Sequence, residues 1–491
     1  MFLDKLKKAT NMTFTENGAL TYRSSLSDCL DMFFRAGASR NITEKEIIKM
    51  TDKAYAEDPD KTMKIIFFAR DIRGGLGERR FFRTAMTYLA DTHPESVAKN
   101  IPYIAEFGRY DDLTVLVDTE CASYAIKEIE KQLKTDNEEM NAGRPVSLLA
   151  KWLPSVNASS AETVNRAKKI CKMLKMPEQT YRHMLSKLRA YIDIIENRLR
   201  TTDYTFDYSK QPSMAMFKYR KAFLRNDKER YKEYLSKVEK GEEKINTGTL
   251  YPYEIIRSVL SQSLSDDEKR TLDLTWKSII GDSSDSTGEN ALAVVDGSGS
   301  MYWGRGSVRP VDAAISLGMY FAEKNTGEFK NHFITFSSSP KLVEIKGRDI
   351  YEKVKYCSSF NEVANTNLEA VFDLILTTAV KNKMDSSELP SRLYIISDME
   401  FDRCVTGGNS MPLFSKMKKR YEYAGYKLPE VVFWNVNSRN STIPVTLKDT
   451  GAALVSGSSP SVFEMIQSGK ISPEKVMNDT LMSERYKNIC A

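Results

Sequence analysis

From about residue 26 to residue 280 the apolar positions recur at helical spacing. Leu26, Leu30, Phe33 and Phe34 stand at i, i+4, i+7 and i+8, and Thr43 with Glu46 forms a capping-box signature ahead of Ile47, Ile48 and Met50. Further amphipathic stretches follow at 61–72, 78–91, 161–175, 178–200, 212–240 and 251–262, with almost no strand-like alternation. Brief turns such as Asp58-Pro59-Asp60 and His93-Pro94-Glu95 separate them. Short helices joined this way predict an α-solenoid, in which each helix pair buries its face against its neighbours. The stretches share no fixed sequence period, so an irregular all-α domain is the alternative.

The pattern changes at 281–290, a polar segment without apolar residues that reads as a linker. Beyond it, short apolar runs alternate with helices. Strands are predicted at 291–295, 331–337, 341–345 (an edge), 392–397, 430–436 and 452–456, and helices at 311–325, 367–383, 411–424 and 460–469. Alternating βα units imply a mainly parallel, doubly wound sheet covered by helices. The expected organisation is a helical domain at 1–280, a linker at 281–290 and an α/β domain at 291–491.

The 491 residues are 41% hydrophobic and 28% charged, which excludes collagen-like, low-complexity and wholly disordered chains. The six cysteines, Cys29, Cys121, Cys171, Cys357, Cys404 and Cys490, form no CxxC pair, so neither a disulfide framework nor a zinc knuckle is indicated and a reducing compartment fits. The opening Met1-Phe2-Leu3-Asp4-Lys5-Leu6-Lys7-Lys8 lacks the apolar stretch of a signal peptide, and no apolar run reaches the roughly 20 residues of a membrane span. A cytoplasmic protein without a membrane partner is expected.

Candidate chemistry begins directly after the first strand of the α/β region, at Asp296-Gly297-Ser298-Gly299-Ser300. In a doubly wound sheet ligands bind outside the carboxyl ends of the strands, where these side chains emerge. Thr366, in the loop before helix 367–383, and Asp398, at the end of strand 392–397, open on the same edge. Carboxylate and hydroxyl oxygens are hard ligands suited to Mg2+ or Mn2+. With Ser298, Ser300 and Thr366 binding directly and Asp296 and Asp398 acting through water, one position stays open for an acidic group from a partner. A phosphate loop is the rival, but Gly297 and Gly299 are not followed by Gly-Lys-Ser/Thr. These residues resemble a von Willebrand factor A domain with its metal-ion-dependent adhesion site, over roughly residues 288–470. His93, His183 and His332 lie apart from the motif and Cys404 has no base beside it, so no catalytic arrangement is expected.

Charge is uneven along the chain. Residues 166–230 hold 17 Lys and Arg against 7 Asp and Glu, a local excess larger than the +6 of the whole chain. Tyr181, Tyr191, Tyr204, Phe206, Tyr208, Phe217, Tyr219 and Phe223 lie among them. Bases meeting phosphates and aromatics stacking on single-stranded bases would make an RNA surface, although most of these rings are expected in the core. The candidates for RNA contact here are Arg166, Lys168, Lys169, Lys172, Arg182, Lys187, Arg189, Lys218, Arg220 and Lys221. A second basic group, Arg70, Arg73, Arg79, Arg80 and Arg83, surrounds Gly74-Gly75-Leu76-Gly77, whose amides could form a phosphate nest. The alternative there is a plain helix C-cap. Lys151, in Lys151-Trp152-Leu153-Pro154-Ser155, completes the set.

A helical half followed by an A domain resembles the Ro-type, TROVE-domain RNA-binding proteins. The segments Phe68-Ala69-Arg70-Asp71-Ile72-Arg73-Gly74-Gly75-Leu76-Gly77-Glu78-Arg79, Glu106-Phe107-Gly108-Arg109-Tyr110-Asp111-Asp112-Leu113 and Lys151-Trp152-Leu153-Pro154-Ser155 carry the resemblance. They are more similar still to uncharacterised bacterial and phage TROVE-like proteins. The resemblance implies a ring of HEAT-like repeats closed by the A domain, binding small structured noncoding RNA and its single-stranded ends, in noncoding-RNA quality control. A metal-dependent adaptor that captures an acidic residue of a protein partner is the alternative from a different class.

Overall fold

The computed structural model describes residues 10–281, 290–303, 308–337, 339–360, 366–403, 411–466 and 471–491. They fall into two compact units, Met1–Thr43 with Tyr208–Ser483, and Glu44–Asp207 with Glu484–Ala491. The expected boundaries at 280 and 291 follow the change of element type, whereas compactness follows packing. Helices Pro252–Ser261 and Asp266–Ile280 pack on helices Pro310–Lys324 and Ile350–Ser358, and so go with the sheet. Apart from Gly281 and Asn290, the expected linker lies outside the described residues.

In the first unit a short antiparallel hairpin, β1 (Met12–Phe14) and β2 (Leu20–Tyr22), comes first among the described residues. The main sheet contains β3 (Ala291–Asp296), β4 (His332–Phe336), β5 (Leu342–Glu344), β6 (Arg392–Ser397), β7 (Glu430–Asn435) and β8 (Ala452–Ser456). Its order is β5-β4-β3-β6-β7-β8, parallel except for β5, which runs antiparallel to β4 at the edge. The predicted strands therefore form a mixed, mostly parallel sheet. Every residue of β3 and β6 is buried, as expected of central parallel strands with near-continuous apolar runs. Helix Pro310–Lys324, begun by Pro310 at its first turn, packs on β3, β4 and β6. It comes so close that a Cβ on Gly318 would lie 2.3 Å from Val295 Cγ2. Helix Asp28–Ala36, capped by the Ser27 side chain, packs on β8, and Gly37 follows it against the backbone of Ser456 and Gly457.

The second unit is helical. Helices Glu44–Glu57, Pro59–Arg70 and Arg79–Thr92 pack on one another, and Asp58 caps the second through the Lys61 amide at 2.9 Å. Phe67 meets Phe82 and Phe107 edge-on, at 5.5 and 5.4 Å between ring centres. Segment Glu484–Ala491 completes this core by stacking Tyr486 on Phe107 at 5.6 Å. The stretch read as 178–200 divides into Glu178–Tyr191 and Ile195–Arg200, and 212–240 into Ser213–Asn226 and Lys228–Glu239. Helices Ala122–Asn141 and Asp266–Ile280 add to those read from the pattern. Among the described residues no helix is long and apolar enough to cross a membrane.

Candidate metal centre and basic surface

The chain leaves β3 towards β4 and β5 on one side, and then returns to β6, β7 and β8 on the other. The topological switch point therefore lies between β3 and β6, the place where open α/β sheets bind ligands. Asp296 ends β3 and Asp398 follows β6. The Ser397 hydroxyl, at the end of β6, donates to Asp296 Oδ2 at 2.6 Å, and the Ser298 amide donates to Oδ1 at 2.9 Å. Ser298 and Ser300 hydroxyls lie 3.1 Å apart, and Ser300 donates to Asp398. Thr366 joins less directly: its hydroxyl donates to the Glu400 carbonyl at 2.8 Å, and the Glu400 amide contacts Asp398 Oδ1 at 3.3 Å. Asp296, Ser298, Ser300 and Asp398 thus form one hydrogen-bonded cluster, with Thr366 one residue's backbone away.

Asp296, Ser298, Thr366 and Asp398 are buried and Ser300 is half-buried. Burial, and behind it the charge of Asp398, raises Asp296 well above the ordinary carboxylate range; burial also raises Asp398, against the pull of Arg439. Met399 adopts φ 66°, a left-handed turn that an L side chain rarely takes, immediately after Asp398. Beyond this turn Glu400 and Asp402 bring two more carboxylates, both raised by burial. The pattern Asp398-Met399-Glu400-Phe401-Asp402 was a legible sign of an acidic strand end that sequence reasoning did not use.

Arg439 and the hairpin tip were also missed. Arg439 Nε lies 3.2 Å from Asp398 Oδ2, and its other end holds Glu16 at 2.9 Å. Asn17 Nδ2 donates to the Thr366 hydroxyl at 3.0 Å. Nothing local in the sequence couples residues this far apart. Among the described residues no group of three His, Cys, Asp or Glu side chains is arranged to cage a metal; the oxygens gathered here belong to two carboxylates and three hydroxyls. His93 stacks on Tyr55 and His332 contacts the Lys330 carbonyl, while Cys404 lies outside the described residues.

The basic candidates sort into three groups. Arg70, Arg189 and Arg220 hold the fold together. Arg70 is buried on Asp112, with Nε to Oδ2 at 2.7 Å. Arg189 donates to the carbonyls of Ala150 and Leu153, both at 2.7 Å, and to Ser155 Oγ. Arg220 is buried, donating to the Phe217 carbonyl at 2.6 Å. These three were expected at RNA, but each guanidinium donates to internal acceptors. In the second group, Lys151 pairs with Glu196, Arg166 with Glu162, Lys168 with Glu178, Lys169 with Asp118 and Lys221 with Glu268. The third group comprises Arg73, Arg79, Arg80, Lys172, Arg182, Lys187 and Lys218, all exposed. Arg73 donates to the Glu106 carbonyl and Lys218 lies over the Tyr219 ring.

The expected phosphate nest at Gly74-Gly75-Leu76-Gly77 is used internally. The amides of Leu76, Gly77 and Glu78 donate to the carbonyls of Phe68, Asp71 and Ala69. The amides of Arg73 and Gly74 serve the carboxylate of Asp71, which also receives Arg485 and, at 2.9 Å, the Tyr486 hydroxyl. A Cβ on Gly75 would lie 2.1 Å from the Phe68 carbonyl, which is why glycine stands there. The second segment of the resemblance meets the first: Asp112 accepts from both Arg70 and Arg83, and Asp111 pairs with Arg83 and Arg109. The third meets the second, with the Arg109 guanidinium 3.9 Å above the Trp152 ring. Of the interleaved aromatics, Tyr181, Phe206, Tyr208 and Phe223 are core.

Among solved structures, that of the Ro (RSR) protein of Deinococcus radiodurans is similar at TM-score 0.34 and 10% identity, over 89% of this chain and 90% of that one. The chain is 31% identical over 498 residues to the uncharacterized protein L728 of Acanthamoeba polyphaga mimivirus, covering 94% of this chain and 85% of that protein. Residues 290–488 match the model of a domain of unknown function (DUF7788). Residues 15–120 and 124–288 match that of a second domain of unknown function (DUF2828), and with more than half of its length matched the chain belongs to that family.

Proposed function

We propose that this is a non-catalytic RNA-binding protein, a Ro-like scaffold for noncoding RNA, whose α/β unit is a von Willebrand factor A-like module holding Mg2+ or Mn2+. The observation that supports RNA binding is a set of uncompensated charges. Lys172, Lys175, Arg182 and Lys187 are exposed on and beside helices Ala161–Met173 and Glu178–Tyr191, which pack together, and none has an ion pair among the described residues. Lysine and arginine left without carboxylates keep their full charge for phosphates, and the counterions they displace make binding salt-dependent. A labelled structured RNA with a single-stranded tail should bind at about 50 mM salt and weaken steeply by about 300 mM. Equal affinity at both concentrations, or no binding at either, rejects the reading.

For the cation, Ser298, Ser300 and Thr366 would bind directly and Asp296 and Asp398 through water. Two carboxylates and three hydroxyls at a switch point are a hard-oxygen set that suits Mg2+. Bound there, the ion would supply an electrophilic position for an acidic oxygen. A second reading, a metal-dependent adaptor for an acidic protein partner, is favoured by Trp303. It is 79% exposed, three residues after Ser300, and an exposed tryptophan is a typical anchor at protein interfaces. Asp296→Ala separates the two: protein capture is lost under the adaptor reading, and RNA binding survives under the first.

A further inference from the structure

The hairpin β1–β2 turns through residues 15–19, with Gly18 at φ +86° closing the turn. Its tip is fastened to the segment that follows β6. The Thr15 hydroxyl donates to the Phe401 carbonyl at 2.6 Å, and the Glu16 amide to Glu400 Oε2 at 2.6 Å. Asn17 Nδ2 donates to the Glu400 carbonyl at 2.7 Å as well as to Thr366, and the Arg403 amide returns to the Asn17 carbonyl at 3.2 Å. This fastening has an electrostatic result. Glu16 grips one end of Arg439 while the other end rests on Asp398 Oδ2. That oxygen is buried and accepts no hydrogen bond, so the guanidinium is its counter-charge.

We propose that the hairpin tip is a latch that seats Arg439 on Asp398 as a resident cation, so that a divalent ion enters the centre only when the latch lifts and the guanidinium withdraws. The proposal rests on the metal-site reading above. Two cations cannot share one buried carboxylate without strong repulsion, because little solvent lies between them to screen it. An open groove of about 680 Å3 borders Arg439, lined by Phe14, Glu16, Arg23, Asn440 and Thr442, and gives the side chain somewhere to go. If Asn17 instead served to orient Thr366 for the metal, loosening the tip would weaken metal binding. The two roles predict opposite signs.

The test uses Mn2+ alone, with binding measured by calorimetry on the full chain. Thr15→Ala combined with Asn17→Ala removes latch hydrogen bonds without changing charge, and should tighten Mn2+ binding about five-fold or more, the range of ordinary coupling between linked sites. Binding by this variant alone would be the extreme form of that result. Saturating Mn2+ should also speed hydrogen exchange at the Glu16 and Ala19 amides of the unaltered protein. This second measurement decides the matter should the double variant not fold. If the unaltered protein binds Mn2+ and the variant binds equally or more weakly, or exchange does not quicken, the latch is wrong and the metal site stands. If neither binds, both are wrong, and Ser298→Ala sets the level of non-specific binding.

Discussion

Arg70 is 3% exposed, and a guanidinium that deep is tolerable only with a carboxylate in contact. Asp112 supplies it, and takes Arg83 on its second oxygen at 2.6 Å. Asp112→Ala should therefore cost about 3–5 kcal/mol, because it leaves a buried charge without its partner; urea denaturation reads the loss. A loss near zero would mean that Arg70 reaches solvent. This pairing was hidden in the sequence, where the two residues stand 42 apart and a charge count treats every arginine alike. The metal candidates were more legible, since Asp296, Ser298 and Ser300 share one turn and need only the strand before them. Glu254 is a second residue whose setting decides its behaviour. Burial pushes it up to about 7, against the pull of Arg257, Arg40 and Arg220. A raised carboxylate stabilises the fold below its unfolded value, near 4.5, and that contribution fades as pH rises through about 7. Between pH 5 and 8 the protein should lose on the order of 1–2 kcal/mol more than Glu254→Gln does. Parallel stability curves for the two would refute the assignment.

Elements form where local pattern and packing agree. The run Ala291-Leu292-Ala293-Val294-Val295 is apolar throughout because β3 is covered on every side, and its continuity made it readable. The helix beside it approaches at Gly318. Gly318→Ala should destabilise by about 1–3 kcal/mol through overpacking against Val295, and adding Val295→Ala should return part of the loss. Additive losses in the thermal midpoints would contradict the close approach. Helix Ile350–Ser358 could have been read, with Asp349 as its cap and Ile350, Val354 and Cys357 at i, i+4 and i+7. The capping box of Ser265 and Glu268 likewise marks helix Asp266–Ile280. The hairpin could not be read: three-residue strands are too short for alternation to register, and its tip is held by residues nearly four hundred positions away.

At the scale of the whole chain, the basic run 166–230 is divided between the two compact units. Lys218, Arg220 and Lys221 belong with the sheet, and the candidates from Arg166 to Arg189 with the helical unit. Linear charge counts take no account of that division, and they count paired lysines with free ones. The RNA prediction accordingly narrows to a few residues. Replacing Lys172, Arg182 and Lys187 together by Gln should lower RNA affinity at every sequence tested and reduce the salt slope by about three, one for each phosphate left unneutralised. Filter binding across a salt series measures both, and an unchanged slope would place the RNA elsewhere.

The chain passes from one compact unit to the other and back before it ends, and segment Glu484–Ala491 belongs with helices encoded hundreds of residues earlier. During translation Asp71 would be made long before Arg485 and Tyr486, the two side chains that neutralise and cover it. Until that segment is made, the helical unit also lacks the Tyr486 ring that stacks on Phe107. A nascent chain stalled in the α/β region would therefore still lack both of these partners of Asp71.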